Sequence, residues 1–355
     1  MKDFEFPVFK TKSPAGSPVF DPNDPKGRAA YFQFKAGAEI AKLRQYLKKG
    51  TFLAIMLGKK GSGKGTYSKL FAEALNLPNI AHVSVGDLVR AADEEVNDPK
   101  NLKTLISFLE KNYRGWLPLE KIIDSQKKRS TKTLLPTEYI LALIKREIGK
   151  LSGKAIFLDG FPRDLDQISY SLFFRDLIGF RDDPDFFVLI DIPEAVIDAR
   201  IRSRVVCPKC HTPRNPKLFP TKKIEYDVKN KAFHLVCDNP DCRRERMVAK
   251  EGDELGIVPI KHRLDKDEEL IKRAFDLYGV PKILLRNSVP VAQAGKMVDD
   301  YEITPEYVFH WDARQKRVKV EEKPWVFEDD RGVESVSLLA PPVTVALIKQ
   351  LADLL

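Results

Sequence analysis

Thr51-Phe-Leu-Ala-Ile-Met-Leu-Gly58-Lys-Lys-Gly61-Ser62-Gly63-Lys64-Gly65-Thr66-Tyr-Ser-Lys-Leu-Phe-Ala-Glu-Ala-Leu-Asn76 joins an apolar run to a glycine-rich turn and then to a segment with apolar residues at helical spacing. Strand, turn and helix in that order are the context a phosphate-binding loop requires. The glycines let backbone N–H groups converge on oxygen atoms without side chains in the way. The free N–H groups of the helix start add partial positive charge, and Lys64 adds a full one within reach of β- and γ-phosphates. The hydroxyl that usually follows the lysine directly stands one place later, on Thr66, because Gly65 intervenes.

Working outward, 1–35 is rich in Pro, Gly, Lys and Asp and reads as a surface arm or tail, followed by a helix over 36–49. Residues 79–85 read as a second strand, ending at Gly86-Asp87, where a helix begins. Helical patterns recur at 102–111, 119–127 and 136–150, with Lys127-Lys128-Arg129 as a solvated face. Ala155-Ile-Phe-Leu158 reads as a buried strand that ends in Asp159-Gly160-Phe161-Pro162-Arg163. A helix over 166–177, a buried strand over 185–190 and a helix over 193–204 complete this half. Continuous apolar strands alternating with helices predict a parallel sheet covered on both faces. Ligands of such sheets gather outside the carboxyl ends of the strands. The glycine-rich loop, Gly86-Asp87 and Asp159 to Arg163 all fall at those ends, which predicts one shared site.

Cys207-Pro-Lys-Cys210 and Cys237-Asp-Asn-Pro-Asp-Cys242 hold all four cysteines of the chain, so a metal clip is expected rather than a secreted disulfide scaffold. Two such knuckles suit four thiolates on a tetrahedral Zn²⁺, with iron the less fitting alternative. Two strands of a hairpin, 223–228 and 231–236, lie between them. A charged helix over 263–277, strand-like pieces at 307–311 and 317–320, a last core strand over 334–340 and a closing helix over 341–355 follow.

The 355 residues allow more than one module, and the net charge of +9 suits anionic partners: nucleotides, nucleic acid or a membrane surface. No apolar run reaches the ~20 residues of a membrane span, and Met1 to Phe6 lacks a signal-peptide core. The expectation is a cytoplasmic chain with no membrane association.

Several motifs together resemble the adenylate kinases, of the nucleoside monophosphate kinase family with a zinc-bearing lid. They are the loop Gly58 to Thr66, Ser84-Val85-Gly86-Asp87-Leu88-Val89-Arg90, Leu134-Leu135-Pro136-Thr137-Glu138, Asp159 to Arg163 with Gln167, Asp198-Ala-Arg200-Ile-Arg202-Ser-Arg204, and Lys261-His-Arg263-Leu264. The resemblance implies an α/β fold of the P-loop type: three α/β/α layers on a parallel sheet, with a small β-rich lid. It implies ATP as donor, bound by Gly58, Gly61, Ser62, Gly63, Lys64, Gly65, Thr66, Arg200 and Arg204. It implies AMP as acceptor, bound by Val85, Arg90, Leu135, Gly160, Arg163, Gln167 and Arg263. Lys64, Asp159, Arg163, Arg200, Arg204 and Arg263 would carry the transfer, with Asp159 holding Mg²⁺ through water. Cys207, Cys210, Cys237 and Cys242 would hold a structural Zn²⁺. Arginine fits such a task because its planar fork pairs with phosphate oxygens and is always charged.

On this reading 1–50 is an extension, 51–206 the first part of the core with an acceptor-side region over 86–152, and 207–250 the lid. Residues 251–280 return to the core, 281–333 are an addition, and 334–355 close the core. A monomer without nucleic-acid partners is expected. Val85 stands where the family usually places a hydroxyl, so a kinase for CMP, UMP or GMP remains an alternative. A zinc-ribbon nucleic-acid-binding protein with a residual nucleotide site is a third reading, opposed by the intact Lys64, Asp159, Arg163 and Arg263.

Overall fold

The computed structural model describes residues 1, 6–128, 135–165, 167–168 and 184–355. Its centre is a parallel sheet of β1 (Leu53–Gly58), β2 (Ile80–Ser84), β3 (Ala155–Asp159), β4 (Asp185–Asp191) and β10 (Lys282–Arg286), in the order β10-β4-β1-β3-β2. Alternate side chains of each strand enter opposite cores. Ala54, Met56, Phe157, Phe186 and Val188 face the helices Pro25–Tyr46, Lys64–Leu75 and Ala340–Leu354. Ile156 and Leu158 face the helices Val85–Glu95 and Thr137–Gly149, while Ile55, Leu57, Phe187 and Leu189 face Lys261–Asp276. Four rings, Phe52, Phe71, Phe157 and Phe186, meet at centroid distances of 5.2 to 6.3 Å and lock the first helical layer to the sheet. The expected three-layer fold is therefore present. Of the helix expected over 166–177 only Gln167 and Ile168 are described, both helical; its other residues and Leu134 lie outside the described residues.

Two expectations are corrected. The first helix starts at Pro25, not at residue 36, so the arm ends earlier. Asp24 caps it by accepting from Lys26 N–H and Gly27 N–H, and Pro25 takes the first position, where no N–H is needed. Ala36 is a kink (φ −149°) inside this helix, not its start. The preceding segment is clipped down by charge: Glu302, fully buried, accepts from Tyr31 Oη (2.6 Å) and Thr11 Oγ1 (2.7 Å) and lies 3.1 Å from Lys35 Nζ. The second correction concerns the fifth core strand. It is β10, whereas the segment 334–340 supplies β15 (Glu334–Ser337) to a separate antiparallel sheet with β11 (Ser288–Pro290) and β14 (Val326–Glu328). Val336 and Leu338 are buried in the main core, so their apolar signal reflects burial without pairing in the central sheet.

The cysteine module contains β5 (Val205–Val206), β6 (Pro213–Arg214), β9 (Val248–Ala249) and the hairpin β7 (Lys223–Asp227) and β8 (Ala232–Val236). A second hairpin, β12 (Pro305–Asp312) with β13 (Arg317–Pro324), lies against it. Trp311 stacks on Tyr226 at 4.9 Å and 21°, Phe309 meets Phe233 at 5.8 Å, and Tyr307 N–H donates to Lys217 O at 2.7 Å. Phe309 also packs among the buried cysteines, so a ring from far along the chain completes the module's small core. Stacked aromatic pairs contribute about 1 kcal/mol beyond their buried area. Trp311→Ala should accordingly raise hydrogen exchange roughly fivefold in β7 and β8 and leave β1, β3 and β4 unchanged; equal protection in the module before and after the change would show that the stack carries no stability.

Candidate active site

The loop between β1 and the helix Lys64–Leu75 is built by its glycines. Gly61 and Gly63 have φ of +86° and +96°, which side-chain-bearing residues rarely adopt. A Cβ on Gly58 would lie 2.5 Å from Ser62 Oγ. Ser62 itself turns inward: its N–H donates to Lys59 O at 3.0 Å, and its buried hydroxyl has no hydrogen-bond partner among the described residues. Lys64 Nζ donates to Gly58 O at 2.7 Å and lies 3.7 Å from Asp159 Oδ1, at the end of β3. The lysine is thus folded over the loop, beside a carboxylate.

Lys64, Asp159, Gly160, Arg163 and Arg263 line one cavity of about 40 Å³, together with Gly58. Arg163 Nε donates to Gly160 O at 2.8 Å. The same cavity contains Asp267, which the sequence reading passes over. Its Oδ2 accepts from Lys60 N–H at 2.8 Å, on the phosphate loop itself. Burial raises its pKa, against the opposing charges of Lys64, Arg263 and Arg163. The signal was available: Asp267 follows Arg263 by four residues on one helix, which places both on the same face.

A larger cavity, about 530 Å³, adjoins Gly61, Gly63, Thr66, Arg200 and Arg204. Arg200 lies with Nη1 3.4 Å from Gly61 O and Nη2 3.4 Å from Asn287 Oδ1. Arg204 makes paired bonds of 2.6 and 2.7 Å to Asp253.

On the opposite side, a Cβ built on Gly86 would stand 3.4 Å from Arg163 Nη2 and 3.6 Å from Arg90 Nη1, so the two guanidinium groups flank one glycine. Arg90 is ion-paired with Asp87. Val85 is buried, and Leu135 packs against the same apolar cluster. Gln167 Oε1 accepts from Arg163 N–H, and its Nε2 donates to Thr137 Oγ1, each at 2.8 Å.

The four cysteines are free thiols whose sulfur atoms all lie within 4.8 Å of one another, with Cys210 and Cys237 Sγ 3.6 Å apart. Tetrahedral Zn–S bonds near 2.3 Å need sulfur atoms about 3.8 Å apart, so the set fits a metal such as zinc.

A second unread residue is Lys59. Its side chain is only 1% exposed, and Nζ lies 2.8 Å from Glu268, 3.2 Å from Glu194 and 3.2 Å from Asp330. Burial by itself would push the amine down, but the Glu268 hydrogen bond and the charges of Asp330 and Glu194 hold it above the ordinary lysine range.

The profile of a family described as an AAA domain matches residues 57–206. Adenylate kinase of Thermotoga neapolitana is 30% identical over 233 residues, covering 65% of this chain and 87% of the relative. Adenylate kinase of Kosmotoga olearia is 33% identical over 214 residues, covering 59% and 80%. That of Clostridium acetobutylicum is 29% identical over 225 residues, covering 63% and 80%.

Removing a buried cation from several carboxylates costs about 3–5 kcal/mol. Lys59→Met should therefore lower stability by about that amount, read as the urea midpoint, with a larger loss at pH 8 than at pH 4, because Glu268 and Asp330, no longer held down by the lysine, can take up protons in the variant at the lower pH. An unchanged midpoint would mean that the other cations on these carboxylates, the Met1 amine on Asp330, Lys261 on Glu194 and Lys272 on Glu268, balance them without Lys59.

Proposed function

The chain belongs to the adenylate kinase family, and from that premise we propose that it transfers the γ-phosphoryl group of ATP to AMP, reversibly and with Mg²⁺, giving two molecules of ADP. The observation that carries this reading is the meeting of Lys64, Asp159, Arg163 and Arg263 at one cavity, at the carboxyl ends of β1 and β3. An α-phosphate oxygen of the acceptor attacks the γ-phosphorus. The bond from that phosphorus to the β–γ bridging oxygen breaks, and the departing ADP keeps the electron pair. The attacking oxygen is already an anion at neutral pH, so no base has to remove a proton.

The protein's task is to bring two polyanions together and stabilise the charge of transfer. Lys64 and the amides of Gly61, Gly63, Gly65 and Thr66 hold the donor phosphates. Arg90 and Arg163 grip the acceptor phosphate. Arg200, Arg204 and Arg263 close over the transferring group. Asp159 would hold Mg²⁺ through water, and the ion would supply charge neutralisation to the donor's phosphates. Arg204 and Lys64 lie against Asp253 and Asp159, which supports a site whose cations exchange carboxylates for phosphates. Cys207, Cys210, Cys237 and Cys242 hold Zn²⁺ in a structural site, since four protein ligands leave no position open. The lid is 207–250, and the core is 51–206 and 251–280 together with β10 and the helix Ala340–Leu354, which the central sheet and its first helical layer include; the chain acts as a cytoplasmic monomer.

A second reading, another nucleoside monophosphate as acceptor, is favoured by Val85, whose buried side chain offers the base shape but no hydrogen bond. Gln167 supports AMP, because a carboxamide that exchanges its contacts with Arg163 N–H and Thr137 Oγ1 for the base matches the N1 and 6-amino edge of adenine. No helix among the described residues is long and apolar enough to cross a membrane.

A coupled assay of ATP with AMP, CMP, UMP and GMP tests this reading. AMP should be the best acceptor, and Lys64→Ala and Arg163→Ala should each lower kcat/KM by about 100-fold or more with unchanged unfolding midpoints. A better rate with another monophosphate leaves only the wider kinase class, and near-normal rates in either variant remove the site assignment. Metal analysis should return one zinc per chain, and Cys237→Ser should abolish it; a metal-free protein with four titratable thiols would refute the clip.

A further inference from the structure

The cavity of about 530 Å³ runs from the phosphate loop along Tyr67, Leu70, Ile197 and Ile201, with Phe219 of the cysteine module on another side. Leu338 to Pro341 line a further side, and Pro22 and Asn23 of the N-terminal segment form part of the wall. That wall is firmly fixed. Asn23 N–H donates to Asp21 Oδ1 at 2.9 Å. Arg28 Nη1 donates to Pro22 O and Asn23 O at 3.3 and 3.2 Å, while its Nε and Nη2 pair with Glu73 at 2.8 and 3.1 Å. Glu73 belongs to the helix that begins with Lys64, so the turn is bolted to the element that carries the phosphate loop. The side chain of Asn23 is different. It is exposed at the cavity, and its carboxamide has no hydrogen-bond partner among the described residues.

The cavity has the attributes of a base pocket. Its apolar walls suit a flat ring, and Arg214 Cζ lies 5.0 Å from the Phe219 ring centroid, a pair of planar groups side by side. Arg214 Nε is buried with no partner among the described residues. A carboxamide presents one donor and one acceptor side by side, the complement of an amino-purine edge. We propose that Asn23 reads the base of the donor nucleotide, so that the N-terminal segment is part of donor recognition. The inference rests on the reading above, in which the donor's phosphates occupy the loop Gly58 to Thr66.

The test compares ATP with purine riboside triphosphate, which has the same ring system and N1 but a hydrogen in place of the 6-amino group; an unpartnered carboxamide could turn over to match a 6-keto base, but it cannot replace a missing partner. Donor kinetics at saturating AMP are measured for the unaltered protein, Asn23→Leu and Asn23→Asp, each checked for an unchanged unfolding midpoint. Asn23→Leu should raise KM for ATP about tenfold, leave kcat and the KM for AMP near their starting values, and shrink the preference for ATP over the donor without the amino group. Asn23→Asp keeps the acceptor but not the donor and should fall between. A higher KM for ATP with an unmoved preference for ATP over that donor would mean that Asn23 only shapes the wall, and would overturn the inference. So would an unchanged KM and preference in Asn23→Leu while the unaltered protein transfers normally; the functional reading would then stand. An unaltered protein that neither binds ATP in equilibrium titration nor transfers phosphate would sink both.

Discussion

The buried ammonium of Lys59 is the constraint on which the site depends. It is the second residue of the phosphate loop, and it gathers carboxylates from three distant stretches: Glu194 after β4, Glu268 on the helix Lys261–Asp276, and Asp330 beyond β14. A charge withdrawn from water this completely is tolerated only with partners in contact. The loop therefore cannot shift without moving the segments that hold Arg200, Arg263 and Asp267. Rigidity at this point suits an arrangement whose function is positioning.

Around that anchor the cations form a second layer that is balanced differently. Lys64, Arg204 and Arg90 each lie against one carboxylate, partly exposed to solvent. Asp267 caps the loop's Lys60 N–H while facing Lys64, Arg163 and Arg263. Such pairs are weak where water reaches them, and a polyphosphate with its greater charge competes well for the same donors. The buried network fixes the frame, and the exposed pairs leave the surface available to ligand.

Much of this was legible in the sequence because the decisive signals are local. The strand-loop-helix unit, Asp159 to Arg163 and the cysteine knuckles each lie within a short stretch. The parallel sheet follows from apolar runs buried on both faces. What was missed depends on contacts distant in sequence. Lys282-Ile-Leu-Leu-Arg286 has only three apolar residues between charges, and as an edge strand it pairs with β4 alone. Residues 334–340 carry a stronger apolar signal yet pair elsewhere. Lys59 looks like any loop lysine until its carboxylates arrive from more than a hundred residues away. Two local signals were passed over, the Asp24-Pro25 helix start and the four-residue spacing of Arg263 and Asp267.

The hairpin of β12 and β13 alters the mechanics of the cysteine module. Its rings are stacked on β7 and β8, yet its stem leaves the module between Thr304 and Trp325, a different attachment from Val205 and Ala249. The module is therefore tethered at two separate points. A rotation about either tether must drag the hairpin through the same arc or slide one aromatic plane over the other. If the module swings as the lid proposed above, the hairpin would damp its hinge, and changes in the hairpin's length or aromatic content would set the speed of the swing without touching any residue at the phosphates.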